Sequence, residues 1–198
     1  MIPRLITKKI FEIIKGFPIL VLTGPRQSGK STLVKELFSD EYEYVSLEDL
    51  DMRRFAQEDP RGFLKQYRQK VIFDEVQNVP DLFSYLQGIV DEDQIPGQFI
   101  LTGSQHFLLL EKITQSLAGR VGMLHLLPLS LGELEDIPEL EVLLYRGLYP
   151  SLYTRDVEPY QWYSNYIQTY VERDLRAIKN IHDLGTFQLF MKMCAART

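Results

Sequence analysis

The chain has 198 residues, of which 45% are apolar and 25% are charged, and its formal net charge at pH 7 is −5. This length suits one sizeable α/β domain with an appendage, and the composition is ordinary for a soluble globular protein. The negative charge disfavours non-specific binding to nucleic acid, and no apolar run is long enough to span a membrane. A single cysteine, Cys194, excludes an intramolecular disulfide framework and agrees with a cytoplasmic location.

The first predicted element is an amphipathic helix over residues 4–15. Apolar residues recur there at helical spacing, and lysines lie largely on the opposite face. The predicted packing face consists of Leu5, Ile6, Ile10, Ile13 and Ile14. The segment lacks the uninterrupted apolar stretch and the small-residue cleavage site of a signal peptide. We expect this helix to pack onto the core of the domain, and the alternative is a membrane anchor.

The central motif follows this helix. Residues 19–22 form a short apolar run typical of a buried strand, residues 24–31 read GPRQSGKS, and a helical pattern continues to Leu37. The order strand, Gly-x-x-x-x-Gly-Lys-Ser, helix predicts a phosphate-binding loop, the Walker A motif. The candidate nucleotide-binding residues are Gly24, Pro25, Arg26, Gln27, Ser28, Gly29, Lys30, Ser31 and Thr32.

The residue types in this loop have distinct physical roles. Gly24 and Gly29 permit backbone conformations that a Cβ atom forbids, so the backbone approaches phosphates closely. Backbone N–H groups and the start of the following helix then face the anion. Lys30 supplies a positive charge for the β- and γ-phosphates, and the Ser31 hydroxyl is placed to ligate Mg²⁺.

Between this loop and the next motif, the pattern predicts one strand and two helices. Residues 42–47 alternate as a strand does, a charged helix opens at residues 48–51 and ends near Pro60, and a further helix runs to about Gln69. The acidic cluster at residues 48–51 is interpreted as a solvated helix N-terminus and not as a metal site. Carboxylates at that position meet the positive end of the helix dipole.

A second motif, KVIFDEVQ at residues 70–77, reads as a buried parallel strand that ends in two carboxylates. Open α/β sheets bind ligands at the carboxyl edge, so both side chains are expected in the active crevice. Asp74 has the position of a Walker B aspartate that holds Mg²⁺, and Glu75 is a candidate general base for an attacking water. The alternative is a pair of solvated acids at a strand end.

A helix over residues 81–93, with Asp81 as its candidate N-cap, precedes another buried strand over residues 98–104. Thr102 and Ser104 at the carboxyl end of that strand are candidates for the role called sensor 1. In that role a polar side chain orients the water or contacts the γ-phosphate. The alternative is that these hydroxyls only satisfy a turn.

Arg120 precedes a fifth predicted strand over residues 121–127. An arginine in this place is a candidate for contacting the γ-phosphate, in cis or from a neighbouring subunit, and the latter case predicts a homo-oligomer. The alternative for Arg120 is a structural or surface ion pair. A zinc site is not expected, because ligand spacing is absent among His106, His125 and His182.

Beyond Ser130 the pattern becomes helical. A helix is expected to start over residues 131–134, and a turn-rich connection follows at residues 145–150. A later stripe at helical spacing favours core or inter-domain packing over nucleobase stacking. The stripe consists of Tyr160, Tyr163, Tyr166, Ile167, Tyr170 and Val171. The chain stops directly after an apolar helix without a stop signal, which predicts a truncated end.

These motifs together resemble a group of prokaryotic AAA-type ATPases. The resemblance rests on GPRQSGKST, VSLED, VIFDEVQNVPDL, FILTGSQHFLL, SLAGRVGMLHLLPLSLGEL, YRGLYPSLY and YIQTYVERDLRAI. Members of that group carry a C-terminal domain of unknown function, thought to have a nuclease-like fold, which is expected to be mostly absent here. The resemblance implies ATP and Mg²⁺ as ligands, and it implies site roles for Lys30, Ser31, Asp74, Glu75, residues 102–104 and Arg120.

The expected fold is an α/β P-loop NTPase of AAA type, with a five-stranded parallel sheet flanked by helices and followed by a helical extension. The expected domains are an ATPase core at residues 1–130 and the extension at residues 131–198, which leads into the C-terminal domain. The leading functional hypothesis is Mg²⁺-dependent hydrolysis of ATP.

Two other functions compete with this hypothesis. One is a nucleotide-dependent regulatory switch that controls a C-terminal effector or partner with little hydrolysis. The other is a nucleoside or small-molecule kinase, which Glu75 disfavours because a second acid at this point favours water as the acceptor. Nucleic acid as a partner is not supported by this segment.

Overall fold

The computed structural model describes residues 2–104, 116–171 and 184–197. The chain divides into two compact units, one formed by residues 1–137 with 148–150 and the other by residues 138–147 with 151–198. Among the helices of the described ranges, none is both long and apolar enough to cross a membrane. Outside this description lie two histidines and two side chains of the predicted stripe, namely His106, His182, Tyr170 and Val171.

A parallel β-sheet forms the centre of the first unit. Its strands within the described residues are β1 (Ile19–Gly24), β2 (Glu43–Ser46), β3 (Val71–Asp74), β4 (Phe99–Ser104) and β5 (Val121–His125). They lie in the order β2-β3-β4-β1-β5, and every neighbouring pair is parallel. The predicted five-stranded parallel sheet is confirmed. Because all strands run the same way, their carboxyl ends share one edge of the sheet.

Helices flank this sheet. In the first unit they are α1 (Thr7–Gly16), α2 (Lys30–Phe38), α3 (Leu50–Glu58), α4 (Pro60–Gln66) and α5 (Leu82–Asp93), with 3₁₀-helices at Val76–Asn78 and Leu131–Glu133. In the second unit the described helices are α6 (Leu140–Arg146), α7 (Ser151–Thr154), α8 (Pro159–Tyr166) and α9 (Leu184–Ala195), and a π-helix at Ile167–Val171 continues α8.

Successive side chains of the strands point to opposite faces of the sheet, and each face packs into its own hydrophobic layer. Ile19 and Val21 of β1 belong to the layer formed with α3, α4 and α5, whereas Leu20 and Leu22 belong to the layer formed with α1 and α2. All four side chains are almost completely buried. A strand buried on both faces reads as a continuous apolar run, which is the pattern of β1. Side chains two residues apart on a strand therefore face the same helices.

Two aspartates start helices in the first unit. Asp49 accepts hydrogen bonds from the backbone N–H groups of Asp51 (2.9 Å) and Met52 (3.1 Å) at the start of α3. Asp59 accepts one from the N–H of Gly62 (2.9 Å) at the start of α4. The acidic cluster before α3 is therefore a helix N-terminus, as predicted. Throughout the described ranges, no three His, Cys, Asp or Glu side chains are grouped so as to hold a metal ion.

Three predictions about caps and packing are wrong in detail. Asp81 is the N-cap residue of α5 as predicted, but its side chain makes no capping hydrogen bond. Leu5 is 69% exposed, because it lies before the first turn of α1 and so leaves the packing face. Tyr160 is 73% exposed, and the buried aromatic residue of α8 is Trp162. Trp162 stacks on Tyr166 with their ring centroids 5.1 Å apart.

Candidate functional site

The predicted phosphate-binding loop joins the end of β1 to the first turn of α2. Gly24 has φ 154° and Gly29 has φ 95°, conformations that side chains with a Cβ atom rarely adopt. A Cβ atom on Gly24 would also overlap the carbonyl oxygen of Leu126. Gln27 has φ 60° although it is not glycine. The loop therefore holds a strained shape, which is common where a backbone is arranged to bind an anion.

Lys30 is the first residue of α2 and is 5% exposed. Its Nζ atom donates hydrogen bonds to the carbonyl oxygens of Gly24 and Pro25, both at 3.0 Å. Burial lowers the pKa of Lys30, and the nearby carboxylates of Glu75 and Asp74 oppose that shift. Both acceptors are neutral carbonyl groups, so the ammonium group is held inside the loop with partners weaker than a phosphate oxygen.

Asp74 ends β3 and is the point where several side chains converge. Its carboxylate accepts hydrogen bonds from the hydroxyls of Ser31 (Oγ–Oδ1 3.0 Å), Thr102 and Tyr44. Period-two alternation explains the geometry, because Asp74 lies two residues after Ile72 and so faces α2, where Ser31 lies in the first turn. Asp74 is 5% exposed, so this carboxylate is buried among hydroxyl donors.

Tyr44 belongs to β2 and was not among the predicted site residues. Burial and the hydrogen bond to Asp74 raise the pKa of Tyr44, which keeps its hydroxyl protonated as a donor. The Nζ atom of Lys35 lies 3.8 Å from the centroid of the Tyr44 ring, a distance at which a cation and a π-system attract each other. Tyr44 pairs with Ile72 in the sheet, two residues before Asp74, so the alternation of side chains places Tyr44 and Asp74 on the same face.

Glu75 follows Asp74 and has φ 56°, a left-handed conformation that is uncommon for a residue with a side chain. The side-chain amide of Gln77 donates hydrogen bonds to Glu75 Oε2 and to Ser104 Oγ, the latter at 3.3 Å. Ser104 ends β4 and pairs with Gly24 of β1 in the sheet. Gln77 was not predicted as a site residue, and it links the candidate base to one of the two candidate sensor residues.

Arg4 supports the loop from the N-terminal segment, and this residue was also not predicted. Its guanidinium donates to the carbonyl oxygens of Ser28 (2.8 Å) and Leu127 (2.7 Å), and its Nε atom lies 3.2 Å from Glu133 Oε1. Burial alone raises the pKa of Glu133, but the N–H groups of Ser130 and Leu5 and the charge of Arg4 lower it overall. The buried ion pair with Glu133 therefore holds Arg4 in the position from which its guanidinium bonds the backbone of the loop at Ser28.

Arg120 lies at the other edge of the sheet. It directly precedes β5, and its carbonyl oxygen accepts a hydrogen bond from the N–H of Ile19 at the start of β1 (3.3 Å). Its guanidinium pairs with Asp91 (Nη2–Oδ2 2.8 Å). The ends of the six-residue strand β1 are roughly 17 Å apart at about 3.3 Å per residue. Within one chain, Arg120 therefore does not join the loop, and the in-cis role is wrong; the in-trans role stays a prediction.

The other predicted site residues meet at the carboxyl edge of the sheet. They are Gly24, Pro25, Arg26, Gln27, Ser28, Gly29, Lys30, Ser31, Thr32, Asp74, Glu75, Thr102 and Ser104. Their chemical roles stay predictions at this point. The geometry itself combines a strained loop, a buried lysine and a hydroxyl-bonded carboxylate at one edge of the sheet.

The sheet and loop define a P-loop ATPase fold of AAA type. The family described as an AAA domain matches residues 16–135, and the chain belongs to this family. A second family, described as a domain of unknown function (DUF8612), matches residues 137–198. This fold and family favour nucleotide binding.

Known proteins resemble the chain over most of its length. "Uncharacterized protein Rv2008c" of Mycobacterium tuberculosis and "Uncharacterized protein Mb2031c" of Mycobacterium bovis are each 35% identical to it over 161 residues. That alignment covers 80% of this chain but only 36% of each curated relative. The Walker-type ATPase PABY2304 of Pyrococcus abyssi has a similar structure, with a TM-score of 0.55 and 18% identity over 100% of this chain and 77% of that chain. At that identity the likeness concerns the fold alone.

Proposed function

We propose that this chain binds ATP together with Mg²⁺ and hydrolyses it to ADP and phosphate. The observation that carries the proposal is the convergence of Ser31 and Thr102 on Asp74, directly beside the loop that holds Lys30. A glycine-rich turn that only starts a helix needs no buried carboxylate next to it. Membership of the AAA domain family and the fold shared with a Walker-type ATPase support the same proposal.

The residues present fit both ligands. Mg²⁺ prefers hard oxygen ligands, and the Ser31 hydroxyl lies 3.0 Å from the Asp74 carboxylate. Within the loop, Ser28 Oγ is enclosed and has no hydrogen-bond partner among the described residues. Buried hydroxyls are normally paired, and an oxygen of a bound phosphate is the kind of acceptor that Ser28 lacks.

Nucleotide binding is assigned to the loop and to Lys30. Lys30 exchanges its hydrogen bonds to the carbonyl oxygens of Gly24 and Pro25 for bonds to the β- and γ-phosphates, which are stronger acceptors because they are charged. Ser31 and Asp74 hold the metal ion. When bound, Mg²⁺ neutralises charge on the phosphate oxygens.

Water activation is assigned to Glu75. Its carboxylate takes a proton from water while the water oxygen bonds to the γ-phosphorus, and the bond from that phosphorus to the β-phosphate oxygen breaks. ADP keeps the electron pair of the broken bond, and Glu75 later gives the proton to solvent. Thr102 and Ser104 are assigned to orienting Asp74 and the water, because one bonds Asp74 and the other is linked to Glu75 through Gln77.

The test is turnover of ATP and GTP by the wild type, Lys30→Ala and Glu75→Gln, with and without Mg²⁺. We expect metal-dependent turnover of ATP that Glu75→Gln lowers by about 10²- to 10⁴-fold, the usual range for a general base, while ATP binding is retained. Lys30→Ala should lose both binding and turnover. The control is Glu58→Gln, an equivalent change at an exposed site at the end of α3. Unchanged turnover in Glu75→Gln would remove Glu75 from its assigned role.

A nucleotide-dependent switch is a second candidate, and the contacts of Lys30 favour it. Since Lys30 has to exchange two hydrogen bonds within the loop, nucleotide binding is coupled to a local rearrangement. In this case residues 137–198 transmit the nucleotide-bound state to an effector or partner. That the effector is a nuclease-like C-terminal domain stays a prediction, as does the domain boundary at residue 130. Equal protease sensitivity of residues 137–198 with ADP and with a non-hydrolysable ATP analogue would exclude the switch.

A further inference from the structure

The turn after β3 carries Gln77, whose side chain links Glu75 to Ser104 and has no role of its own in the proposed function. Gln77 lies in the 3₁₀-helix Val76–Asn78, and both hydrogen bonds of its amide nitrogen point to groups of the candidate site. One goes to Glu75 Oε2 and the other to Ser104 Oγ at 3.3 Å. An amide nitrogen carries two protons, so Gln77 Nε2 satisfies both acceptors at once.

The surrounding structure fixes this turn firmly. Val76 is completely buried, and the backbone N–H of Asn78 donates to the carbonyl oxygen of Glu75 at 3.0 Å. The side-chain amide of Asn78 donates to the carbonyl oxygen of Leu47 at 3.2 Å, which ties the turn to the end of β2. The buried Val76 and the backbone hydrogen bond from Asn78, which does not depend on the Asn78 side chain, hold Glu75 at φ 56°. Such a strained backbone persists only where its neighbours determine it.

The orientation of the Gln77 amide is set by the charge of Glu75. The amide oxygen, Gln77 Oε1, is enclosed and has no hydrogen-bond partner among the described residues. An enclosed carbonyl without a partner is unfavourable, and a packing role alone does not explain it. The contact to a carboxylate requires the N–H side of the amide, because two acceptor oxygens repel each other. In this orientation Gln77 Nε2 donates to Glu75 and Ser104, while Gln77 Oε1 has no hydrogen-bond partner among the described residues.

We propose that Gln77 is the positioning residue of Glu75. Its amide holds Glu75 Oε2 against the end of β4, so that the other carboxylate oxygen faces the water in one orientation. Through Ser104, the same amide couples the position of the candidate base to the sensor segment. This inference rests on the proposed hydrolysis of ATP. It adds Gln77 as the residue that orients the proposed general base, Glu75.

The experiment compares Gln77→Ala and Gln77→Glu with Asn78→Ala as the matched control. Gln77→Glu keeps the size of the side chain but replaces the donor with an acceptor. Asn78 lies in the same turn, and its side chain bonds the carbonyl oxygen of Leu47 and not the Glu75 carboxylate. For each variant, kcat, KM, the dissociation constant of ATP and the melting temperature are measured on the full chain.

We expect both Gln77 variants to lower kcat by about 10- to 100-fold, with the ATP dissociation constant changed less than about twofold, because a misaimed base costs rate and not affinity. Asn78→Ala should lower the melting temperature but leave kcat near that of the wild type. Combining Gln77→Ala with Ser104→Ala should cost little more than Gln77→Ala alone, since both removals act on the same bridge.

Three outcomes would overturn the inference. Wild-type kcat in Gln77→Glu would show that the donor is not needed. Equal losses of kcat, affinity and melting temperature in all three variants would indicate a purely structural turn. A wild type without turnover would refute the proposed function. Crystal structures of the wild type and Gln77→Ala with a non-hydrolysable ATP analogue would then test the inference separately. The same position of the Glu75 side chain in both structures would contradict it.

Discussion

Charged side chains gather at both edges of the sheet, but the two edges neutralise them in different ways. At the carboxyl edge, Asp74 is bonded by the hydroxyls of Ser31, Thr102 and Tyr44. At the amino edge, two arginines that lie before strands pair with acids at the end of α5. Arg120 pairs with Asp91, and a second pair there joins Arg68 Nη2 to Asp93 Oδ1 at 2.8 Å.

This difference separates a binding site from a structural edge. A hydroxyl stabilises a carboxylate through a hydrogen bond but leaves its negative charge uncompensated, so Asp74 still attracts a cation. The hydrogen-bond partners of Lys30 are likewise uncharged, because they are the carbonyl oxygens of Gly24 and Pro25. An arginine cancels the charge of its partner, so Asp91 and Asp93 retain little attraction for further ligands. Ion pairs at an exposed edge also add little to stability.

The largest expected effect comes from one identical substitution made at each edge. Asp74→Asn keeps the shape of the side chain and an oxygen that accepts the hydroxyls, but it removes the negative charge to which the proposal assigns the metal ion. We expect turnover of ATP to fall by at least about 100-fold, the usual loss when a preorganised charged group is removed. Asp91→Asn should leave turnover within about twofold of the wild type, since Asp91 lies at the far edge. Equal losses in a turnover assay would erase the proposed distinction between the edges.

Smaller effects on turnover and on stability are expected from substituting two tyrosines, Tyr44 at the carboxyl edge of the sheet and Tyr42 at the amino edge. Tyr44→Phe removes one donor from Asp74 and should lower turnover by roughly fivefold, because one hydrogen bond is worth about 1 kcal/mol net. Tyr42 donates to the carbonyl oxygen of Gly97 at 2.5 Å at the amino edge. Tyr42→Phe should cost about 1–3 kcal/mol of unfolding free energy, since it leaves a buried acceptor unpaired, and should not change turnover. Denaturant unfolding and ATP turnover on both variants test this contrast. Loss of turnover in Tyr42→Phe alone would contradict it.

The sequence predicts most of the carboxyl edge because local rules define it. Lys30 and Ser31 follow from the spacing of the loop, and Asp74 and Thr102 follow from the rule that strand ends share an edge. The same rule also argues against the in-cis role of Arg120, which precedes its strand and so belongs to the opposite edge. Proximity to a core strand does not by itself predict a contact with the loop, because the two ends of a strand lie at opposite edges of the sheet.

Contacts between distant segments could not be predicted from one sequence. Arg4 reaches Ser28 and Glu133 across gaps of 24 and 129 residues. Such pairs depend on the order of the strands and on the path of the N-terminal segment. The hydrophobic periodicity of the sequence predicts neither of these. Gln77 is close to Glu75 in sequence, but its significance depends on Ser104, 27 residues further on.

Arg120→Ala tests the amino edge directly. The pairing with Asp91 predicts that this variant keeps the turnover of the wild type at every protein concentration, with a slightly lower melting temperature. The measurement is turnover per subunit over a wide range of protein concentration. A wild-type rate that rises with concentration, together with a flat and lower rate in Arg120→Ala, would instead establish that Arg120 acts on a neighbouring subunit.

The smallest expected effect is the response of the amino edge to acid. Hydrogen bonds from Arg120 lower the pKa of Asp91, and hydrogen bonds from Arg68 and Gln98 lower the pKa of Asp93. A carboxyl group with a lowered pKa in the folded state is protonated first in the unfolded state. Its contribution to stability is therefore complete above the ordinary pKa of about 3.9 and is lost as the pH falls below that value. Melting temperatures between about pH 5 and pH 2 should fall less steeply in Asp91→Asn/Asp93→Asn than in the wild type. Salt at about 1 M should reduce the difference, because it screens exposed charges, and identical slopes would mean that these pairs do not stabilise the fold.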